Sequence, residues 1–215
     1  MIKLPKKIKV GGVFYQIVYP YTFVEDPEYV GMCSHYIHQI HIANVFESVK
    51  RSDYSILNTF LHEIIHAVDS IYCDKVFSES AVVKLDKFLF SIIMDNEDII
   101  SGDVIPKFVY ILGKKYSVIY PYKFKEFAGN ISIMDCSTAT IRIKETSNGD
   151  EIFDIPTIKL SLLFCILTCS ELKDILVDDS DEIGCVGGDL RRLASGLYQV
   201  FKDNNIEKLF QGLRK

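Results

Sequence analysis

The sequence predicts an α+β protein made of two tandem units, each a small antiparallel sheet followed by two helices. Three observations lead to this prediction. The first half of the chain recurs in the second, each half passes from short β-branched and aromatic runs to helical spacing, and a histidine-containing helix follows the first sheet. With 48% hydrophobic residues, the 215-residue chain can form one large core or two small ones.

The repeat is clearest at the start of each half. Residues 4–25 (LPKKIKVGGVFYQIVYPYTFVE) align without gaps on residues 105–126 (IPKFVYILGKKYSVIYPYKFKE), and the same offset places QIHIA on TIRIK. The identical positions include Pro5 and Pro106, Gly12 and Gly113, Tyr15 and Tyr116, and two Tyr-Pro-Tyr triplets. We therefore expect units over residues 1–100 and 101–215, with Ser, Gly and charged residues marking the boundary near residue 100.

Strands are expected in the first part of each unit, where VGGVF and ILGKKY are typical of hairpin turns. The strand YIHQIHI, residues 36–42, is the candidate sheet edge on which a peptide could pair. From residue 53 the apolar residues recur at three- and four-residue intervals, which predicts a helix capped by Ser52. A second helix is expected over residues 79–96, and Asp154 is the expected cap in the second unit.

The first helix contains LHEIIHAVDS, in which His62 and His66 lie one turn apart and Glu63 follows the first histidine. Residues i and i+4 share a helix face, so both imidazoles can reach one ion at the roughly 2 Å zinc–nitrogen distance. Glu63 can then act as a base toward water made acidic by the metal. The alternative is a buried helix that happens to hold two histidines, and the spacing favours the metal site.

A catalytic zinc needs a third protein ligand. Glu79 is the best candidate because it opens the next helix, thirteen residues after His66. Asp74 and Asp86 are alternatives, whereas Asp69 suits a hydrogen bond to His66. Glu79 could instead be a solvent-facing carboxylate at a helix N-terminus.

The HExxH motif, the short loop and the acidic residue opening a second helix resemble the zincin-like metallopeptidase domains of bacteriophages and mobile elements, distant relatives of the ImmA/IrrE-type zincins. The resemblance covers residues 4–97, and in the second unit it extends to the scaffold alone. It implies zinc (Zn2+) as cofactor and assigns the site as follows: His62, His66 and Glu79 as metal ligands and Glu63 as catalytic base. Such domains often have a carboxylate where this chain has Val83.

The second unit is expected to be a degenerate zincin-like repeat without the metal site. In the sequence alignment His62 and His66 fall on Cys165 and Cys169, Glu63 falls on Ile166, and Glu79 falls near Gly187. The two cysteines are expected to be small buried thiols. The acidic residues 170–184 do not match a calcium loop and are expected to be a connecting loop.

These features predict a zinc-dependent metallopeptidase of phage or mobile-element type, which cleaves a protein or peptide substrate by attack of metal-activated water. The alternative is a non-hydrolytic zincin-scaffold protein that binds a host or phage partner. The degenerate second unit and Val83 favour this alternative, whereas retention of Glu63 favours the enzyme. The minor candidates for stabilising an oxyanion are His35, His38, His41 and Tyr72.

Charge and hydropathy narrow the partners and the compartment. The net charge of −5 provides no general basic face for nucleic acid, and no apolar run approaches the roughly 18 residues that cross a bilayer. The start MIKLPKKIKVGG lacks the apolar region of a signal peptide, and the six cysteines form no CxxC pair. We therefore expect a cytoplasmic protein, within the bacterial host if phage-encoded, that binds neither nucleic acid nor membrane.

Overall fold

Two four-stranded sheets with identical topology and five helices make up the described part of the chain. The structure is a computed structural model that describes residues 2–124, 131–146, 152–169, 172 and 187–214. The first unit contains β1 (Lys7–Val10), β2 (Val13–Tyr21), β3 (Gly31–Ser34), β4 (Gln39–Ala43), the short hairpin β5 (Val45–Phe46) and β6 (Val49–Lys50), α1 (Asp53–Tyr72) and α2 (Glu79–Asp95). The second contains β7 (Phe108–Ile111), β8 (Lys114–Ile119), β9 (Ser132–Asp135), β10 (Thr140–Ile143), α3 (Ile155–Leu167), α4 (Gly187–Asn204) and α5 (Glu207–Gln211). Most of the acidic stretch 170–184 lies outside the described residues.

Both sheets are mixed, which corrects the expectation of purely antiparallel sheets. Their strand orders are β1-β2-β4-β3 and β7-β8-β10-β9. The chain leaves β2, forms β3 at the outer edge and returns as β4 in the gap, so β4 pairs parallel to β2 and antiparallel to β3. Strand β4, which covers most of the predicted edge strand, is therefore central, and the edge beside the helices is β3.

The helices begin at the expected caps. The side chain of Ser52 accepts a hydrogen bond from the Ser55 amide at 3.1 Å and starts α1, and Asp154 does the same for Thr157 at the start of α3. Ser78 caps α2, so Glu79 becomes the first residue of that helix. Of the helices in the described ranges, none has both the length and the apolar character that crossing a membrane requires.

The two units share one hydrophobic core. Apolar residues of both sheets and of all five helices form a single buried cluster that runs from Leu4 to Phe210. The segment between the units is also fixed: the buried carboxylate of Glu207 accepts hydrogen bonds from the amides of Ile100 and Ser101, and the Lys159 ammonium donates to the Asp98 carbonyl at 2.7 Å. The repeat boundary is therefore not a flexible linker.

An asparagine at the end of the second helix of each unit binds the first strand of the other unit. Asn96 follows α2, and its amide receives a hydrogen bond from the Tyr110 N–H and donates to the Tyr110 carbonyl in β7. Asn204 ends α4 and makes the same pair of bonds with Lys9 in β1. Gln199, one turn and a half earlier, accepts from the Gly11 amide at 2.7 Å. Each unit thus completes the hydrogen bonding of the other.

We predict that Asn96→Ala destabilises the whole protein by about 2 kcal/mol or more, because it removes three hydrogen bonds and leaves backbone groups of Tyr110 unpaired. Asn204→Ala should act in the same direction. Urea unfolding measures the change. Gln211→Ala is the control, since its exposed amide makes a single long contact of 3.3 Å and its loss should cost less than about 0.5 kcal/mol. Equal stabilities of all variants would contradict the reciprocal role of the asparagines.

Candidate metal centre and cleft

Helix α1 and the start of α2 bring together the three side chains that the sequence singled out. His62 and His66 lie one turn apart on α1, and Glu79 reaches them from the first turn of α2. One ligand atom from each of the three lies within 4.8 Å of the others. Val83 has no part in this group, so the acidic residue one turn earlier supplies the carboxylate.

The distances between these atoms suit a tetrahedral ion. His62 Nε2 lies 3.0 Å from His66 Nε2 and 3.2 Å from Glu79 Oε1, and His66 Nε2 lies 3.1 Å from Glu79 Oε2. Ligand atoms at about 2.0 Å from a tetrahedral centre are about 3.3 Å apart. Two imidazoles and one carboxylate with a fourth position open are the donor set of catalytic zinc. The residues therefore fit the metal.

Asp86 orients the first histidine. This residue lies two turns after Glu79 on α2, and its Oδ2 is 2.7 Å from His62 Nδ1. The imidazole N–H donates to the carboxylate, which leaves the Nε2 lone pair of His62 directed at the site. Within the described residues Asp86 Oδ1 is buried with no hydrogen-bond partner, so the site holds negative potential that a cation would offset.

The pKa values of the two histidines shift in opposite directions. Burial works against protonation of His62, but the hydrogen bond to Asp86 and the charges of Glu63 and Glu79 raise the pKa overall. Burial lowers the pKa of His66, and the neighbouring His62 adds to the effect. A neutral His66 is the form that binds a metal.

Glu63 is the buried carboxylate beside the histidines. Its side chain is 4% exposed on the face of α1 turned toward β3, and the Cys33 backbone N–H donates to it. Burial raises the pKa of Glu63 to about 7, with Glu79 and Asp86 adding to the rise and His62 opposing it. A carboxylate with a pKa near neutrality can accept and return a proton, which is the property of a general base.

Strand β3 lies directly on α1 because Gly31 has no side chain. A Cβ at this position would overlap Glu63 Oε1 and Thr59 Cγ2. Arg51 secures the approach by donating to the Val30 and Ala43 carbonyls, and to Ser55 on the first turn of α1. Sequence patterns did not single out this arginine, because its partners are brought together by the fold alone.

The edge strand, α1 and the start of α2 enclose a cleft of about 680 Å³. One side of the cleft is lined by the helix residues His62, Glu63, His66, Glu79 and Asp86. The other side is lined by residues 28–33 and His35, in and next to β3. The Val30 carbonyl accepts from the Ala43 amide, so alternate residues of β3 pair with β4. The backbone groups of the residues between them, Gly31 and Cys33, consequently face the cleft side of the strand.

The other predicted residues lie in different surroundings. Asp69 accepts hydrogen bonds from the Val76 and Phe77 amides and shapes the turn that returns α2 to α1, in place of the expected bond to His66. Asp74 is exposed and pairs with Arg192 at 3.2 Å, so it is not brought to the histidines.

Of the four candidates for oxyanion stabilisation, one lies in the cleft and three lie elsewhere. His35 lines the cleft. His38 packs on the Tyr15 ring, and His41 is buried in β4 against Tyr21. Tyr72 is near the end of α1, where its hydroxyl donates to Gln199 at 3.3 Å.

The second unit has a different residue at each position of the site, and the structure shifts the sequence alignment by one residue. Ser132 occupies the position of Gly31, and its hydroxyl contacts Cys165 Sγ at 3.2 Å and the Ser161 carbonyl at 3.3 Å. Since Gly31 contacts Glu63 and Thr59, Cys165 corresponds to Glu63, and the helix caps Ser52 and Asp154 give the same offset. His62 and His66 therefore correspond to Phe164 and Thr168. Cys165 and Cys169 are buried, as expected.

Comparison of the chain with models of protein families, with curated proteins and with solved structures finds no match.

We predict that Asp86→Ala weakens zinc binding by about 10- to 100-fold, because His62 loses the acceptor that orients its ring. Competition with a chromogenic chelator measures the affinity. Asp95→Ala removes the same charge from an exposed position on α2 and serves as the matched control. An equal loss of zinc affinity in both variants would show that Asp86 acts through its charge alone and not through its hydrogen bond to His62.

Proposed function

We propose that this protein is a zinc-dependent metallopeptidase of the zincin-like class found in phages and mobile elements. The observation that carries the proposal is the convergence of His62 Nε2, His66 Nε2 and the Glu79 carboxylate at 3.0–3.2 Å, next to the buried carboxylate of Glu63. A purely structural zinc site would have four protein ligands and no use for a buried general base.

The chemistry follows from the position of Glu63. When bound, zinc polarises a peptide carbonyl and lowers the pKa of water to roughly 7. Glu63 accepts a proton from the attacking water as its oxygen bonds to the carbonyl carbon, and the electron pair of the C=O π bond moves to the carbonyl oxygen. As the C–N bond breaks, Glu63 delivers the proton to the leaving nitrogen, which gives a carboxylic acid and an amine.

The cleft favours an extended peptide as substrate. The outer edge of β3 presents the backbone groups of Gly31 and the Cys33 carbonyl beside Glu63, and an extended chain can pair with such an edge. Tyr29 and Met32, which line the same cleft, are exposed large apolar side chains that can contact substrate residues. The strand that offers the edge is β3 and not the central β4.

A cytoplasmic location in a bacterial host suits the cysteines. All five cysteines in the described ranges are free, as expected in a reducing compartment. The proposed partner is a protein or peptide, with no role for nucleic acid or membrane.

The rival function is a non-hydrolytic protein that keeps this scaffold and binds a partner in the same cleft. The second unit favours it, because Phe164, Cys165 and Thr168 stand where the first unit has His62, Glu63 and His66. In both functions the second unit packs against α1. The functions differ in the role of Glu63, which acts as a base in the peptidase and has no catalytic role in the binding protein.

We predict that His62→Ala and Glu79→Ala each lower zinc affinity by more than the roughly 10- to 100-fold loss typical of a residue outside the coordination shell. Metal analysis after dialysis against a fixed free zinc concentration measures this. Asp74→Asn, which changes an exposed carboxylate near α2 and keeps a side chain tolerant of its positive φ, should retain the metal. Full zinc content in Glu79→Ala would remove Glu79 from the ligand set.

We predict that Glu63→Gln lowers the rate of peptide cleavage by about 100-fold or more, while zinc content and peptide binding stay at wild-type levels. A random-sequence peptide library analysed by mass spectrometry reveals cleavage whatever sequence the enzyme prefers. Glu25→Gln, an exposed change of the same kind, is the control. A zinc-loaded wild-type protein that cleaves nothing in the library or in host lysate would favour the binding function.

A further inference from the structure

We propose that His35 donates a hydrogen bond to the oxyanion that forms on the substrate carbonyl during cleavage. This inference rests on the proposed peptidase function and adds a catalytic residue from the sheet side of the cleft. Helix α1 supplies the base and two ligands, α2 supplies the third ligand, and the turn after β3 supplies the hydrogen-bond donor.

His35 is placed for this role by the strand that precedes it. Gly31 and Cys33 lie on the face of β3 that turns toward α1, and both contact the region of Glu63. His35, the first residue of the turn that follows β3, lines the cleft together with His62, Glu63 and His66. A substrate chain paired with β3 would therefore pass between His35 and the histidines of α1.

The surroundings of His35 select its donor nitrogen. Its Nδ1 lies 3.4 Å from the Tyr15 hydroxyl and 3.7 Å from Cys33 Sγ. Burial raises the pKa of Tyr15 to about 12, so this hydroxyl keeps its proton and can donate to Nδ1. With the Tyr15 hydroxyl as donor to Nδ1, the ring proton resides on Nε2, and the inferred role uses this N–H toward the substrate. Tyr15 is fully buried, so the imidazole is oriented before substrate binds.

Charge in the cleft is consistent with a neutral donor. Burial lowers the pKa of His35, and the positive charge of Lys75 and the nearby His66 and His38 lower it further. A neutral imidazole N–H can stabilise negative charge on oxygen without repelling a metal ion nearby.

Other side-chain donors also line the cleft, among them Tyr29, Asn58 and Thr59. Tyr29 is 56% exposed, so its hydroxyl is not preorganised, and Asn58 projects from α1 one turn before His62. Stabilisation of a developing charge depends on donors that are fixed in advance, which favours His35.

The experiment uses zinc-loaded full-length protein and a phosphinic tetrapeptide of alanine, whose tetrahedral phosphinate imitates the oxyanion. We expect His35→Ala to bind this probe about 10- to 100-fold more weakly at unchanged zinc content, since a hydrogen bond to a charged group is lost. His35→Gln keeps an N–H donor and should recover part of the affinity. The control is His38→Asn, which alters the neighbouring histidine at a positive φ that Asn tolerates and should bind the probe normally.

On the best peptide from the cleavage library, His35→Ala should lower kcat by about 100-fold and change KM little. Equal phosphinate affinity in wild type and His35→Ala would overturn the inference, as would loss of zinc from the variant or an equal effect of Tyr29→Phe. Absence of cleavage by the wild type is a separate result: it would overturn the peptidase proposal, whereas the phosphinate comparison tests His35 itself.

Discussion

The site depends on how closely β3 approaches α1. The strand can rest on the helix because Gly31 leaves room for Glu63, and the contact buries the carboxylate, closes one wall of the cleft and brings a free backbone edge beside the histidines. Arg51 joins the start of α1 to both ends of the hairpin formed by β3 and β4. Asp69 shapes the turn after α1 that brings Glu79 to the histidines. His62, His66 and Glu79 thus meet because the sheet edge and two helices are fixed against one another.

The second unit shows what the same scaffold becomes when this contact is relaxed. With Cys165 at the Glu63 position, the strand residue Ser132 can carry a side chain, and the cleft contact becomes a hydroxyl–thiol pair. At one place on the sheet surface the units keep an interaction but exchange the residues that make it. Lys7 lies over the Phe14 ring in β2, and the equivalent pair has its members exchanged, with Lys115 over Phe108. Such exchanges preserve the surface of the sheet while the chemistry of the helix changes.

The sequence predicted the features that depend on local spacing and missed those that depend on long-range pairing. Helix starts at Ser52 and Asp154, the i, i+4 histidines and the acidic start of α2 are readable from a few neighbouring residues. Strand β3 has only four residues, among them a glycine, so no periodicity identifies it. Without it, the parallel pairing of β2 with β4 and the true sheet edge could not be predicted. The role of Asp86 as partner of His62 also required the α1–α2 packing.

The reciprocal asparagine contacts make each unit the structural partner of the other. Asn96 and Asn204 each close a strand that belongs to the opposite unit, and both units contribute to one core. Half of this molecule would leave an amide and a strand terminus without partners, and two copies of such a half would satisfy them mutually. The two units therefore contact each other reciprocally, as the subunits of a homodimer do, although here they are joined in one chain and the histidine pair of α1 is present in the first unit alone.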